Sequence, residues 1–258
     1  MRYFGALPAS NWGRWVDIGG GLKSTKRLIC CEPCLSYDLL MTTALTAPLS
    51  QALRTSTAAA HEQAEHSTFM DELLKGNLGV EEFTVLQEQS WLFYSALEEA
   101  ARAVAQDPIA ADIVDPALER VPSLESDLDA LHGSTYWRDN VTMLPATEAY
   151  VRRLQEIGES KDTARLIAHH YVRYLGDLSG GQVIGRMMQR HYGVSEDAVT
   201  FYRFTDIPKV KPYKDNYRAA LDALPLSEED RERLLNEAAE AFLFNLNLFN
   251  GIEKALAK

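Results

Sequence analysis

Tyr171-Val-Arg-Tyr-Leu-Gly176-Asp177-Leu-Ser-Gly180-Gly181-Gln-Val-Ile-Gly185-Arg186 decides the fold. Four glycines fall within ten positions, and each costs a helix roughly 1 kcal/mol relative to alanine. Glycine at this density normally marks a loop. Here both flanks, Ala164 to Tyr174 and Val183 to His191, keep helical spacing and contain no proline. A kinked glycine helix satisfies both facts. Its concave face carries no Cβ atoms, so a large planar ligand can lie directly against the peptide groups. Asp177 is the nearest polar side chain to that bare face.

Outward from this segment the chain reads as helices. No proline occurs between Pro48 and Pro108, between Pro145 and Pro208, or after Pro225, and each gap leaves room for long helices. Phe83, Leu86, Trp91, Phe93, Tyr94 and Leu97 form a broad apolar stripe. Leu234, Ala238, Phe242, Asn245, Leu246 and Phe249 recur at three- to four-residue spacing, behind a Ser227…Asp230 cap and an acidic first turn. Val199 to Phe204 alone has the look of a strand, and one strand makes no sheet. The expected fold class is all-α, a single multi-helix domain over residues 41–258.

Residues 1–40 differ from that body. They hold the three cysteines, Cys30, Cys31 and Cys34, and more basic than acidic side chains. They are expected to be a disordered leader or a start-site extension. Three clustered cysteines make no disulfide framework, and Cys31-Glu-Pro-Cys34, a single CxxC, is a weak metal or redox signal. With 26 Lys and Arg against 37 Asp and Glu, the formal charge is -11 and nucleic acid is a poor partner. No apolar run is long enough for a membrane span, and no signal-peptide core is present, so a cytoplasmic protein is expected. Leu178-Ser-Gly-Gly-Gln182 copies the signature loop of ABC-type ATPases. The phosphate cradle such enzymes need is absent, because Leu22 stands where Gly19-Gly20-Gly21-Leu22-Lys23-Ser24 requires glycine before lysine.

A second segment, Leu49 to His66, supplies a candidate metal ligand. Arg54, Ala58, His61 and Glu65 share one helical face, with Arg54 and His61 about 10 Å apart along the axis. Taken alone, a histidine on an alanine-rich helix more often packs or faces solvent than binds a ligand. Set against the glycine helix, it gives an arrangement that would suit a haem sandwich.

In this combination the chain resembles the haem oxygenases, over roughly residues 45–256. The strongest match is Tyr171-x-Arg173-Tyr174-Leu175-Gly176-Asp177-Leu178-Ser179-Gly180-Gly181-Gln182. It is supported in order by Ala60-His61-x-Gln63-Ala64-Glu65, Tyr94-x-Ala96-Leu97-Glu98, Lys214-x-x-Tyr217-Arg218 and Ala241-Phe242-Leu243-x-Asn245. The resemblance implies haem b, both substrate and cofactor, held between a proximal histidine helix and a kinked glycine-rich distal helix. His61 would be the iron ligand, oriented by Glu65, with His169 and His170 as fallbacks and otherwise packing or network residues. His66, His132 and His191 are the remaining histidines. Arg54, Lys214 and Arg218 would meet the propionates beside Tyr171. The family pattern usually has lysine where Arg54 stands, which keeps the charge and changes the geometry. Lys214 and Arg218 read equally as a solvated helix face on residues alone. Gly176 and Gly180 would press on haem, Gly181 would support the kink, and Phe242 would contact the cofactor.

Asp177 would organise water near the activated oxygen, joined by Tyr94, Arg173 and Asn245. Phe69 and Met70 read first as core and second as pocket lining. The implied reaction consumes O2 and opens haem to biliverdin, carbon monoxide and ferrous iron, releasing iron from captured haem. Its electrons come from an external donor, a ferredoxin or flavin reductase, because no flavin, nicotinamide or iron–sulfur motif is present. The alternative is a haem carrier or sensor that leaves its ligand intact.

Overall fold

The computed structural model describes residues 47–257. The leader, with its cysteines and glycine run, and the first residues of the expected domain lie outside these. Ten α-helices make up the described chain: α1 Leu49–Ser56, α2 Ala58–Glu65, α3 Thr68–Lys75, α4 Val80–Val104, α5 Val121–His132, α6 Pro145–Ser160, α7 Thr163–Gly176, α8 Gln182–Tyr192, α9 Val210–Ala223 and α10 Glu228–Leu256. There is no strand among the described residues.

The two longest helices, α4 and α10, organise the rest. Helix α4 packs along α6 and α5, and α10 packs along α7. The α10 N-terminus is fixed as its sequence requires: Ser227 Oγ accepts from the Asp230 amide at 3.0 Å, and Glu228, Glu229 and Asp230 fill the first turn. The aromatic residues of the α4 stripe meet their counterparts in the core. Phe93 stacks on Tyr150 at 5.0 Å between ring centroids, and Tyr150 stacks on Phe244 at the same distance. Offset stacking of this kind adds to the free energy already gained by burying the rings.

Two local outcomes differ from the sequence pattern. The expected strand at Val199 to Phe204 instead contains a 3₁₀ turn, Thr200–Tyr202, directly after another at Glu196–Ala198. Asp127, fully buried, explains this: its carboxylate accepts the amides of Thr200 at 2.7 Å and Phe201 at 2.9 Å. With those amides capped, the aromatic residues pack inward without a partner strand. The histidine segment is broken at Thr57, between α1 and α2. Ser56 Oγ and Thr57 Oγ1 both donate to the Leu53 carbonyl, at 3.2 and 2.8 Å, and such back-bonding bends helices.

Candidate active site

The glycine segment is a single π-helical turn, Asp177–Gly181, inserted between α7 and α8. Such widened turns recur at functional sites because they turn the backbone outward without ending the helix. Ser179 Oγ donates to the Leu175 carbonyl at 2.6 Å across the turn. A Cβ added at Gly176 or Gly180 would meet nothing within 4 Å, so both glycines face open space. Gly181 and Gly185 look the other way. A Cβ there would lie 3.2 and 3.3 Å from Tyr202, which therefore stands as a backstop behind the turn.

That open space is a cleft of about 690 Å³, lined by residues of α1 and α2, of α7 and the glycine turn, and by Arg218 and Phe242. Its size is that of a small-molecule or cofactor site. His61 lines it from α2, with its ring edge-on to Phe242 at 5.3 Å. One imidazole nitrogen lies 3.4 Å from Glu65 Oε1, leaving the other for a ligand. Despite the break at Thr57, Arg54 and His61 border the same cleft.

Two arginines line the cleft in an otherwise acidic protein. Arg54 lines it and makes no ion pair among the described residues. Arg218 lines it too, steadied by Asp215 at 3.2 Å. Lys214 stops short of the lining and donates to Ser179 Oγ at 3.1 Å. Helix α9, which carries Lys214 and Arg218, is tied to α1 where Asp222 accepts from both the amide and the hydroxyl of Ser50, at 2.7 and 3.0 Å. Tyr171 also faces the cleft; burial pushes its phenol up, opposed by Arg218 and Arg54. It stays a hydroxyl donor at neutral pH.

A second, inner chamber of about 180 Å³ opens beside the first, sharing His61, Gly176 and Gly180 with it. Asp177, Arg173 and Asn245 belong to this chamber alone. They form one network with Tyr94, which is fully buried behind them. The Tyr94 hydroxyl donates to Asp177 Oδ2, and Arg173 donates from Nε to the Tyr94 oxygen at 3.0 Å and from Nη1 to Asn245 Oδ1 at 2.5 Å. Burial pushes the Asp177 carboxyl up, while Arg173 and the Tyr94 hydrogen bond pull it back. The four residues expected to share a water network are thus linked to one another directly.

The fallback histidines lie elsewhere. His169 is held between Tyr150 and Glu237, and His170 bonds the Tyr217 hydroxyl at 2.7 Å; both are fully or almost fully buried. His66 lies 3.7 Å from Asp71 and His132 lies 2.9 Å from Glu88, both outside the cleft, and His191 abuts Gly76. Met70 lines the inner chamber, whereas Phe69 is core, stacked on Phe249.

A flat apolar body with anionic edges is what this geometry admits. The profile of the family described as "Heme oxygenase" matches residues 47–251. The chain belongs to the haem oxygenase family. It is 37% identical to heme oxygenase 1 of Synechocystis over 210 residues, 81% of this chain and 87% of that one. It is 36% identical to heme oxygenase 1 of Gallus gallus over 213 residues, covering 81% and 71% of the two chains. The haem complex of the Synechocystis heme oxygenase-1 superposes with a TM-score of 0.76 at 35% identity, over 82% of this chain and 96% of that one. As a haem oxygenase it has the all-helical fold of that family, and His61 and the bare glycines line one cleft. Sequence reasoning missed three polar residues of the inner chamber, Gln87, Ser90 and Tyr202. Gln87 lies seven residues before Tyr94, on the same face of α4, a spacing that could have pointed to it.

Proposed function

We propose that the protein binds haem b as substrate and cofactor and opens it oxidatively, with O2, to biliverdin, carbon monoxide and ferrous iron. The observation that carries this is a single cleft lined both by His61 and by two glycines whose faces are empty. Any Cβ at those glycines would fill the space a flat macrocycle needs. Bound haem supplies the metal that activates dioxygen and the ring that is oxidised. His61 would hold the metal through one nitrogen, oriented at the other by Glu65 and at its ring edge by Phe242. Arg54 and Arg218, helped by Lys214 and the Tyr171 hydroxyl, would hold the propionates and offset the repulsion of an acidic protein. Gly176 and Gly180 would bring peptide groups against the ring and restrict which edge is open to attack, with Gly181 keeping the turn seated on Tyr202. Asp177, fixed by Tyr94, Arg173 and Asn245, would hold water in the inner chamber and pass protons through it.

Electrons would come from an external donor, a ferredoxin or a flavin reductase, and the product iron would serve the cell's supply. A carrier or sensor would need His61 and the cations but would have no use for the buried Asp177 network. Two substitutions separate the roles. His61→Ala should weaken haem binding and stop turnover in buffers free of imidazole. Asp177→Ala should keep haem and lose biliverdin. Unchanged biliverdin yield from Asp177→Ala would remove the role assigned to this carboxylate.

A further inference from the structure

The inner chamber has polar lining residues that the Asp177 network does not use. Gln87, on α4, is 1% exposed and lines this chamber. Its amide oxygen accepts from the Tyr202 hydroxyl at 3.3 Å, and its amide nitrogen has no partner among the described residues. Turning the amide over would move the orphan from nitrogen to oxygen without removing it, because one hydroxyl serves only one of the two atoms. A buried amide with an unmade hydrogen bond is destabilising, and ordered water is the usual remedy.

The chamber offers room and further partners. Its volume is about 180 Å³, and a water occupies roughly 30 Å³ in the liquid. Met70, Leu86 and Ile184 make part of the wall apolar, so water there would seek the polar side chains. Gln87 and Ser90 line the same chamber as Asp177, Arg173 and Asn245. Gln87 and Tyr94 lie on one face of α4, two turns or about 10 Å apart along its axis. Hydrogen-bond steps of about 2.8 Å bridge that gap, less the reach of the side chains, with two or three waters.

We propose that Gln87, backed by Tyr202, anchors a chain of ordered waters running to Asp177, and acts as a positioning residue for proton supply in the chamber. The water site stands on the apoprotein geometry alone, and its role rests on the haem oxygenase reading.

The test has two arms. High-resolution crystal structures of the haem-free protein should show water within hydrogen-bonding distance of the Gln87 amide. That water should be missing from Gln87→Met, a swap close in volume whose folding is checked by its melting temperature. A wild-type chamber that is dry at Gln87 overturns the proposal, whatever the protein does with haem. In the second arm the ferrous protein is loaded with haem and carbon monoxide. The C–O stretching frequency of the wild type should shift between H2O and D2O, and Gln87→Met should reduce that shift while haem affinity from a Soret titration stays within about twofold. Biliverdin formation should slow by about two- to tenfold, the worth of one hydrogen bond. Tyr202→Phe, which removes one oxygen from the pair, should move both readouts in the same direction. An unchanged isotope shift and rate in Gln87→Met would overturn the positioning role. A wild type that binds no haem would overturn that role together with the haem oxygenase reading, and would leave the crystallographic arm to decide the water site.

Discussion

Replacing Gly176 or Gly180 with alanine should move stability and haem affinity in opposite directions. Gly176 is helical, at φ -61 and ψ -52, and neither glycine has a positive φ, so alanine fits both backbones. A Cβ at either position meets no atom within 4 Å. The haem-free protein should therefore gain helix propensity, about 1 kcal/mol for each substitution. For a domain of this size that raises the melting temperature by about 2–4 °C. The same Cβ points into the space assigned to the macrocycle. Overpacking of about 1–3 kcal/mol corresponds to a roughly five- to 150-fold weaker Kd. Gly181→Ala is the control, because its Cβ would press on Tyr202 at 3.2 Å and so should bring no gain in stability. Thermal unfolding of the haem-free variants and Soret titration with hemin read the two effects. A Gly176→Ala protein that is less stable than wild type, or that binds haem equally well, would refute the reasoning.

The other predictions concern charge. Arg218→Ala should weaken haem binding by about two- to fivefold, because its side chain is 43% exposed and screened, and the loss should shrink as salt is raised. His170 should leave its mark on stability. Burial pushes its imidazole down to about 3, from an ordinary value near 6.5. As pH falls the unfolded chain takes up this proton first, so stability is full above about pH 6.5 and declines toward pH 3, by about 1.4 kcal/mol per unit. Urea unfolding across that range should show a flatter profile for His170→Gln; an unchanged slope would clear His170 of this role. Turnover by His61→Ala at the wild-type rate, without imidazole, would remove the assigned metal ligand.

Much of this arrangement was legible in the sequence because its signals are local. Proline gaps, the α4 stripe and the Ser227 cap mark helices through contacts a few residues apart. The glycine cluster stood out because it contradicts its helical flanks, and the widened turn is how the backbone reconciles the two. What escaped depends on distant partners. Val199 to Phe204 has strand composition, but the buried carboxylate of Asp127, more than seventy residues earlier in the chain, takes its amides and winds it into a turn. The break at Thr57 depends on two hydroxyls choosing the same carbonyl. Gly181 faces Tyr202 rather than the open cleft, and only the packing of the Thr200–Tyr202 turn could reveal that. Gln87 carried a helical spacing to Tyr94, yet nothing local said that its amide would be buried with one partner.

Haem should bind in this cleft and then be opened by the protein that holds it. The most direct measurement is an absorbance series on the full chain mixed with hemin, then given a reductant in air with catalase present. A sharp Soret band should form and decay into the broad red absorption of biliverdin. A Soret band that forms and persists with every electron donor tried would contradict the oxygenase, and no Soret band at all would contradict the site.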